Sequence, residues 1–244
     1  MPGEVIAASQ STPEQDAEAD EALFDIGWQV PWHSKILPYA LTAILALLWL
    51  RFGPFGDGML SWGVSGQALA QGRLETIPLH MLAHGGLWHI VMNAGALCGI
   101  SPPLIAAMGR WPESWLRYIA LFVASGLAGM AMYLAIHPFG TVPMIGASGA
   151  ICGLLGLLIR LETSGAALVA VRSRKVWLAV KGLVRENLIL VALIALSALL
   201  SGSAGGIAWE AHLGGFLFGL LLGPRFLSGT PPVPLSDEEE EQAA

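Results

Sequence analysis

The chain has 244 residues, 55% of them hydrophobic and 12% charged, with a mean hydropathy of +0.64, which is too apolar for an ordinary soluble domain. The net charge of -6 belongs to the ends: seven acids fall between Glu4 and Asp25 and five between Asp237 and Glu241. No basic face is left to meet a nucleic acid, and Cys98 and Cys152 sit in apolar runs as small hydrophobes, not as a disulfide framework.

Residues 1–35 are acidic, contain Ser, Thr and Pro, and have no apolar core ahead of Ile36. They fit neither a secretory signal nor an Arg-rich transit peptide and read as a flexible cytoplasmic tail, as does the Pro-containing acidic stretch 228–244. Between them, residues 36–227 form one all-α, polytopic membrane domain. Apolar runs of spanning length lie at about 36–52, 87–108, 115–136, 143–161, 187–203 and 207–227, since roughly 20 residues cross the hydrocarbon core. Six transmembrane helices are predicted.

Lys and Arg in the connections set the orientation. Arg110 and Arg117 follow the second run, and Arg160, Arg172, Arg174, Lys175, Lys181 and Arg185 follow the fourth, whereas the other links hold only Arg51 and Arg73. Both termini and the 160–186 loop are expected in the cytoplasm. Within that loop Ala166 to Val184 mixes apolar and basic residues, including Trp177. It reads either as a helix on the inner membrane surface or as a solvated basic loop that fixes topology.

With that orientation, helices two, four and six enter from the outer face, and each carries polar residues near its N-terminal end: His89 and Asn93, then Ser148, then His212. Polar side chains inside a span are costly unless they pair or line a wet cavity, so their common depth marks a site. Gly149, Gly153 and Gly156 on helix four and Gly215 and Gly219 on helix six form smooth stripes along which backbones can approach. Such stripes are usually packing motifs. The polar pair at their mouths gives these a further use, because Ser148 and His212 can then come within reach as nucleophile and base.

Ser148 lies in Gly146-Ala147-Ser148-Gly149, after Pro143 and at a predicted helix start, where unpaired N–H groups and the positive dipole end would stabilise an oxyanion. A lone Gly-x-Ser-Gly is common in membrane helices. His89 and Asn93, four apart, share a helix face and can both donate, as in an oxyanion hole, or they can simply satisfy one another. His80 and His84 have metal-ligand spacing, but no acid or thiol lies near and His89 would be turned away on a continuous helix. Both read as structural groups bonding loop backbone, and His33 and His137 as interfacial and incidental. Glu210, two residues from His212, would not face it on a helix. A Ser-His dyad is therefore expected, with His212 taking the Ser148 proton and returning it to the leaving amine.

These residues resemble the rhomboid family of intramembrane proteases. The likeness is carried by His84-Gly85-Gly86-Leu87-Trp88-His89-Ile90-Val91-Met92-Asn93, by Gly146-Ala147-Ser148-Gly149-Ala150-Ile151 with Gly153 and Gly156, and by Ala211-His212-Leu213-Gly214-Gly215 with Gly219. The resemblance implies a six-helix core over residues 36–227. Ser148 would be nucleophile and His212 base, with His89, Asn93 and the Ser148 backbone N–H as oxyanion-hole donors. Gly146, Gly149, Gly215 and His84 would support them. It implies cleavage of single-span membrane proteins near the outer face of the lipid bilayer, with no metal and no organic cofactor. The short loops suggest a bacterial inner membrane. The chain departs from the family pattern in two places: Glu75 and Thr76 replace a common Trp-Arg pair in the first loop, and Cys152 replaces an aromatic residue that packs on the base.

Two other readings compete. A catalytically silent relative would bind transmembrane clients, and client processing would not depend on Ser148. A transporter or proton channel needs polar groups on both sides of the midplane, whereas helices three and five are nearly devoid of them.

Overall fold

The computed structural model describes residues 30–55, 57–161, 168–185, 188 and 208–228. Most of each expected tail, and most of the fifth apolar run at 187–203, lie outside these residues. The described chain is helical: α1 (His33–Phe52), α2 (Gly66–Ala70), α3 (Thr76–Leu79), α4 (Leu87–Ala107), α5 (Glu113–Ile136), α6 (Ser148–Leu158), α7 (174–185) and α8 (Trp209–Leu222), with 3-10 turns at Leu60–Trp62 and Gly223–Phe226. No strand occurs among the described residues, only isolated bridges such as Val64 with Met144.

Helices α1, α4 and α5 are each long and apolar enough to cross a membrane. They keep large apolar side chains turned outward, among them Leu47, Leu50, Trp88, Met92 and Leu116. Such faces in water would be an aggregation liability, and against lipid they cost nothing. The first helix starts at His33, three residues ahead of the expected boundary. The fourth is much shorter than its apolar run of 143–161: α6 holds only 11 residues and begins at Ser148. Pro143 donates no N–H, and Gly146 is left-handed at φ 116°, so residues 137–147 approach as a loop although their composition suits a span.

That loop carries polar backbone groups, and its partners come from the first long connection. Val64 and Met144 exchange N–H···O bonds of 3.0 and 2.8 Å, Gln67 N–H donates to Gly140 O at 3.0 Å, and Gly146 N–H donates to His80 O at 2.8 Å. Irregular backbone is tolerated at membrane depth when protein groups satisfy it in this way.

The core lies where α6 meets α4, α5 and α8. Leu97, Leu104, Leu121, Leu154 and Leu157 are buried there, and the Ser101 and Tyr118 hydroxyls pair at 2.8 Å between α4 and α5. The α6 and α8 helices run parallel along their glycine stripes. A Cβ on Gly215 would collide with the Gly149 carbonyl, one on Gly219 with the Gly153 carbonyl, and one on Gly149 would meet Ala211 O at 3.2 Å. Glycine at these points lets the two backbones touch, which sets the register of the residues at their N-terminal ends.

On the other side of the molecule α7 occupies the second half of the stretch expected as a surface helix or a basic loop. Its Val176 packs on Phe216 and Leu220 of α8, with Cys152 alongside, while Lys181 Nζ lies 5.1 Å from the Trp177 ring centre. Arg160 closes this end, donating to Val169 O at 2.6 Å and to Leu220 O at 2.9 Å.

Candidate active site

Ser148 is the first residue of α6. Its N–H belongs to the orphan donors of the first helical turn, at the positive end of the dipole. Parallel packing brings the first turn of α8 beside it, and His212 Nε2 lies 2.7 Å from Ser148 Oγ. Both residues are half-buried. An imidazole so placed can take the hydroxyl proton as the oxygen attacks a carbonyl carbon. His212 Nδ1 is buried and has no hydrogen-bond partner among the described residues.

His89 stands across from this pair. Its Nδ1 accepts a 3.4 Å bond from Gly85 N–H, which assigns the proton to Nε2. That nitrogen lies beside Gly146 and near the serine: a point one bond off the Gly146 Cα lies 2.5 Å from His89 Nε2 and 3.7 Å from Ser148 Oγ. A side chain at position 146 would fill the space between donor and nucleophile. Glycine leaves it open and also supplies the positive φ.

Asn93 is buried, and its Nδ2 donates to His89 O at 2.9 Å, onto its own helix. One of its two amide N–H groups is thereby used; the side chain holds neither the His89 ring nor the serine. His84 is fully buried, with Nδ1 3.3 Å from Leu82 O, and His80 Nδ1 is 2.6 Å from Ile77 O. The two do not share one helix, because α3 ends at Leu79 and α4 starts only at Leu87. That break also brings His84 to His89 instead of turning them apart: their rings meet edge to face with centroids 4.9 Å apart. Burial pushes the His84 imidazole down to about 4, with neighbouring His89 adding to the effect, and lowers that of His80.

The two departures in the sequence have visible settings. Arg73 and Glu75 form a 3.2 Å ion pair, and Arg73 also donates to Ser61 O. Thr76 is buried, its hydroxyl donating to Arg73 O at 2.7 Å. This arrangement ties the first connection to itself. Cys152 faces the α7 side against Phe216 and Leu220.

One group was misread from sequence. His137, expected to be incidental, pairs through Nε2 with Glu210 Oε1 at 2.7 Å. The only sequence signal was an acid inside an apolar span, which required a partner; the partner lies 73 positions away.

The Rhomboid domain family model matches residues 71–229, a stretch that contains every residue placed in this site. The chain is 26% identical to the rhomboid protease GluP of Bacillus subtilis (strain 168) over 164 residues, covering 67% of this chain and 28% of that protein. It is 32% identical to RHOMBOID-like protein 5 of Arabidopsis thaliana over 141 residues, covering 57% of this chain and 40% of that one. The matched segments thus span less than half the length of either relative.

Proposed function

The chain belongs to the rhomboid family of integral membrane proteins, and from that premise we propose that it is an intramembrane serine endopeptidase working through a Ser148–His212 dyad. The observation that carries the proposal is the 2.7 Å approach of His212 Nε2 to Ser148 Oγ at the mouth of two interlocked glycine stripes. A relative named as a protease supports it.

In this reading Ser148 Oγ attacks a substrate carbonyl while His212 takes its proton, forming an acyl-enzyme after His212 protonates the leaving amine. Water then attacks the ester, again deprotonated by His212, and Ser148 is restored. The oxyanion faces the Ser148 N–H and His89 Nε2–H, with the remaining Asn93 amide N–H as a third donor. Gly146, Gly149 and Gly215 hold the pieces close, and His84 backs His89.

The substrates are single-span membrane proteins cut near the outer end of the span. The short loops fit a bacterial inner membrane, and the Lys and Arg of the 160–186 loop favour cytoplasmic termini. Residues 36–227 form the working domain and 1–35 and 228–244 its tails.

The test is cleavage of a single-span reporter by detergent-purified protein, comparing wild type with Ser148→Ala and His212→Ala and resolving the products by mass. Cleavage near the outer end by wild type alone is expected. Equal cleavage by all three would sink the dyad, and cleavage by none across several reporters would favour a client-binding role.

A further inference from the structure

In the dyad, His212 Nδ1 has no hydrogen-bond partner among the described residues. Apart from the Nε2 contact with Ser148, no hydrogen bond of the imidazole fixes its direction among the described residues, so that direction depends on how α8 is rotated and where its first turn is held. Among the described residues, two contacts bear most directly on that turn, beside the apolar packing of Ala211 on Val64, Tyr133 and Met144. Behind it, Ala211 O is packed between Gly149 and Gly129, where added Cβ atoms would come within 3.2 and 2.6 Å of it. In front, Glu210 reaches out to His137.

Glu210 is buried, 5% exposed, and lies in the first turn of α8, where a negative charge complements the helix dipole. His137 caps the C-terminus of α5, where a donor or cation is complementary in turn. The pair therefore joins two helix ends of opposite polarity. A carboxylate this buried is costly unless bonded, so its 2.7 Å contact fixes the carboxylate and, through a short stem, the backbone of residue 210. The same end of α5 also holds the loop leading to Ser148: the Tyr133 hydroxyl donates to Val142 O at 2.8 Å, and the Tyr133 ring lies 5.0 Å from that of His137. One turn of α5 thus grips both the strand of chain that delivers the serine and the helix that delivers the histidine.

We infer that the His137–Glu210 pair positions His212, replacing, from two residues away and through the backbone, the carboxylate that orients the base in a triad. The inference rests on the protease reading. His137 and Glu210 touch no reacting atom, and their effect passes through the rotation of α8. Displacing a base by a fraction of an ångström lowers the rate of the bond-making step while leaving substrate binding alone.

The experiment compares wild type with His137→Ala, Glu210→Leu, the double variant and His137→Gln, whose amide can still donate to the carboxylate. Leucine at 210 avoids leaving a buried amide or charge unpaired. Four quantities are read: kcat and KM on a reporter, the rate at which a fluorophosphonate labels Ser148, and the midpoint of thermal unfolding. The expected result is a loss of about tenfold in kcat and in labelling for either single variant, KM unchanged, the double variant no worse than the singles, and substantial recovery in His137→Gln. Unchanged rates in an active enzyme overturn the inference. So do losses that fall on KM, or that His137→Gln fails to recover. If wild type neither cleaves nor labels, the protease reading fails separately, and the tether is then read from unfolding alone, where additive effects of the two substitutions reject it.

Discussion

A Cβ on Gly219 of α8 would lie 2.8 Å from the Cα of Gly153 on α6 and nearer still to that residue's carbonyl. Backbone cannot yield as a flexible side chain does, so Gly219→Ala must push the helices apart. Overpacking of this kind costs typically about 1–3 kcal/mol, and separation at this point also lengthens the Ser148–His212 contact seven residues away. The expected outcome is a lower unfolding temperature in detergent together with reduced cleavage. An unchanged melting curve would show that the stripe is not under compression.

At Gly146 the consequence is chemical more than structural. Alanine there must adopt φ 116° and puts a methyl group 2.5 Å from His89 Nε2. The ring has to turn away, taking its donor from the space beside Ser148. Loss of one oxyanion donor costs on the order of 100-fold or more in kcat, so Gly146→Ala is expected to fall by about that factor. The check is steady-state cleavage alongside a spectrum showing that the helices persist; wild-type turnover would remove His89 from the proposed hole.

Acid is expected to weaken the fold through the first connection. His84 is fully buried, its value depressed to about 4 by burial and by His89, and His80 is depressed in the same direction. The unfolded chain binds these protons near pH 6.5, so between about 6.5 and 4 it holds more protons than the folded one. Stability is then complete above 6.5 and declines as pH falls through that window. Unfolding followed from pH 7.5 to 4.5 reads this directly, and His84→Asn is expected to flatten part of the slope. A pH-independent midpoint would contradict it.

Much of the architecture could be read from composition because lipid imposes simple demands. The second helix starts at Leu87 in both readings, and the third differs by only two residues at its start. Apolarity, however, reports depth and not conformation. Residues 143–147 are as apolar as a span, yet Pro143 and the positive φ of Gly146 keep them out of α6. The approach of Ser148 to His212 was foreseeable because both sit at the heads of glycine stripes that can hold only one tight register. The orientation of Asn93 was not foreseeable, since the choice between its own helix and a neighbour turns on a side-chain torsion. His137 escaped notice for a different reason: it lies just past a helix end, where a histidine needs no explanation, and only Glu210 gives it one.

The brevity of α6 bears on the supply of the second reactant. Eleven residues make a helix about 16 Å long against roughly 30 Å of hydrocarbon. The rest of that length falls to the loop of residues 137–147, whose backbone is bonded in part to the first connection and includes the exposed residues Pro138, Phe139, Thr141 and Val142. In the proposed reaction the water that resolves the acyl-enzyme would reach Ser148 past this loop, so deacylation is expected to slow in bilayers thick enough to bury the loop before the helices themselves are disturbed.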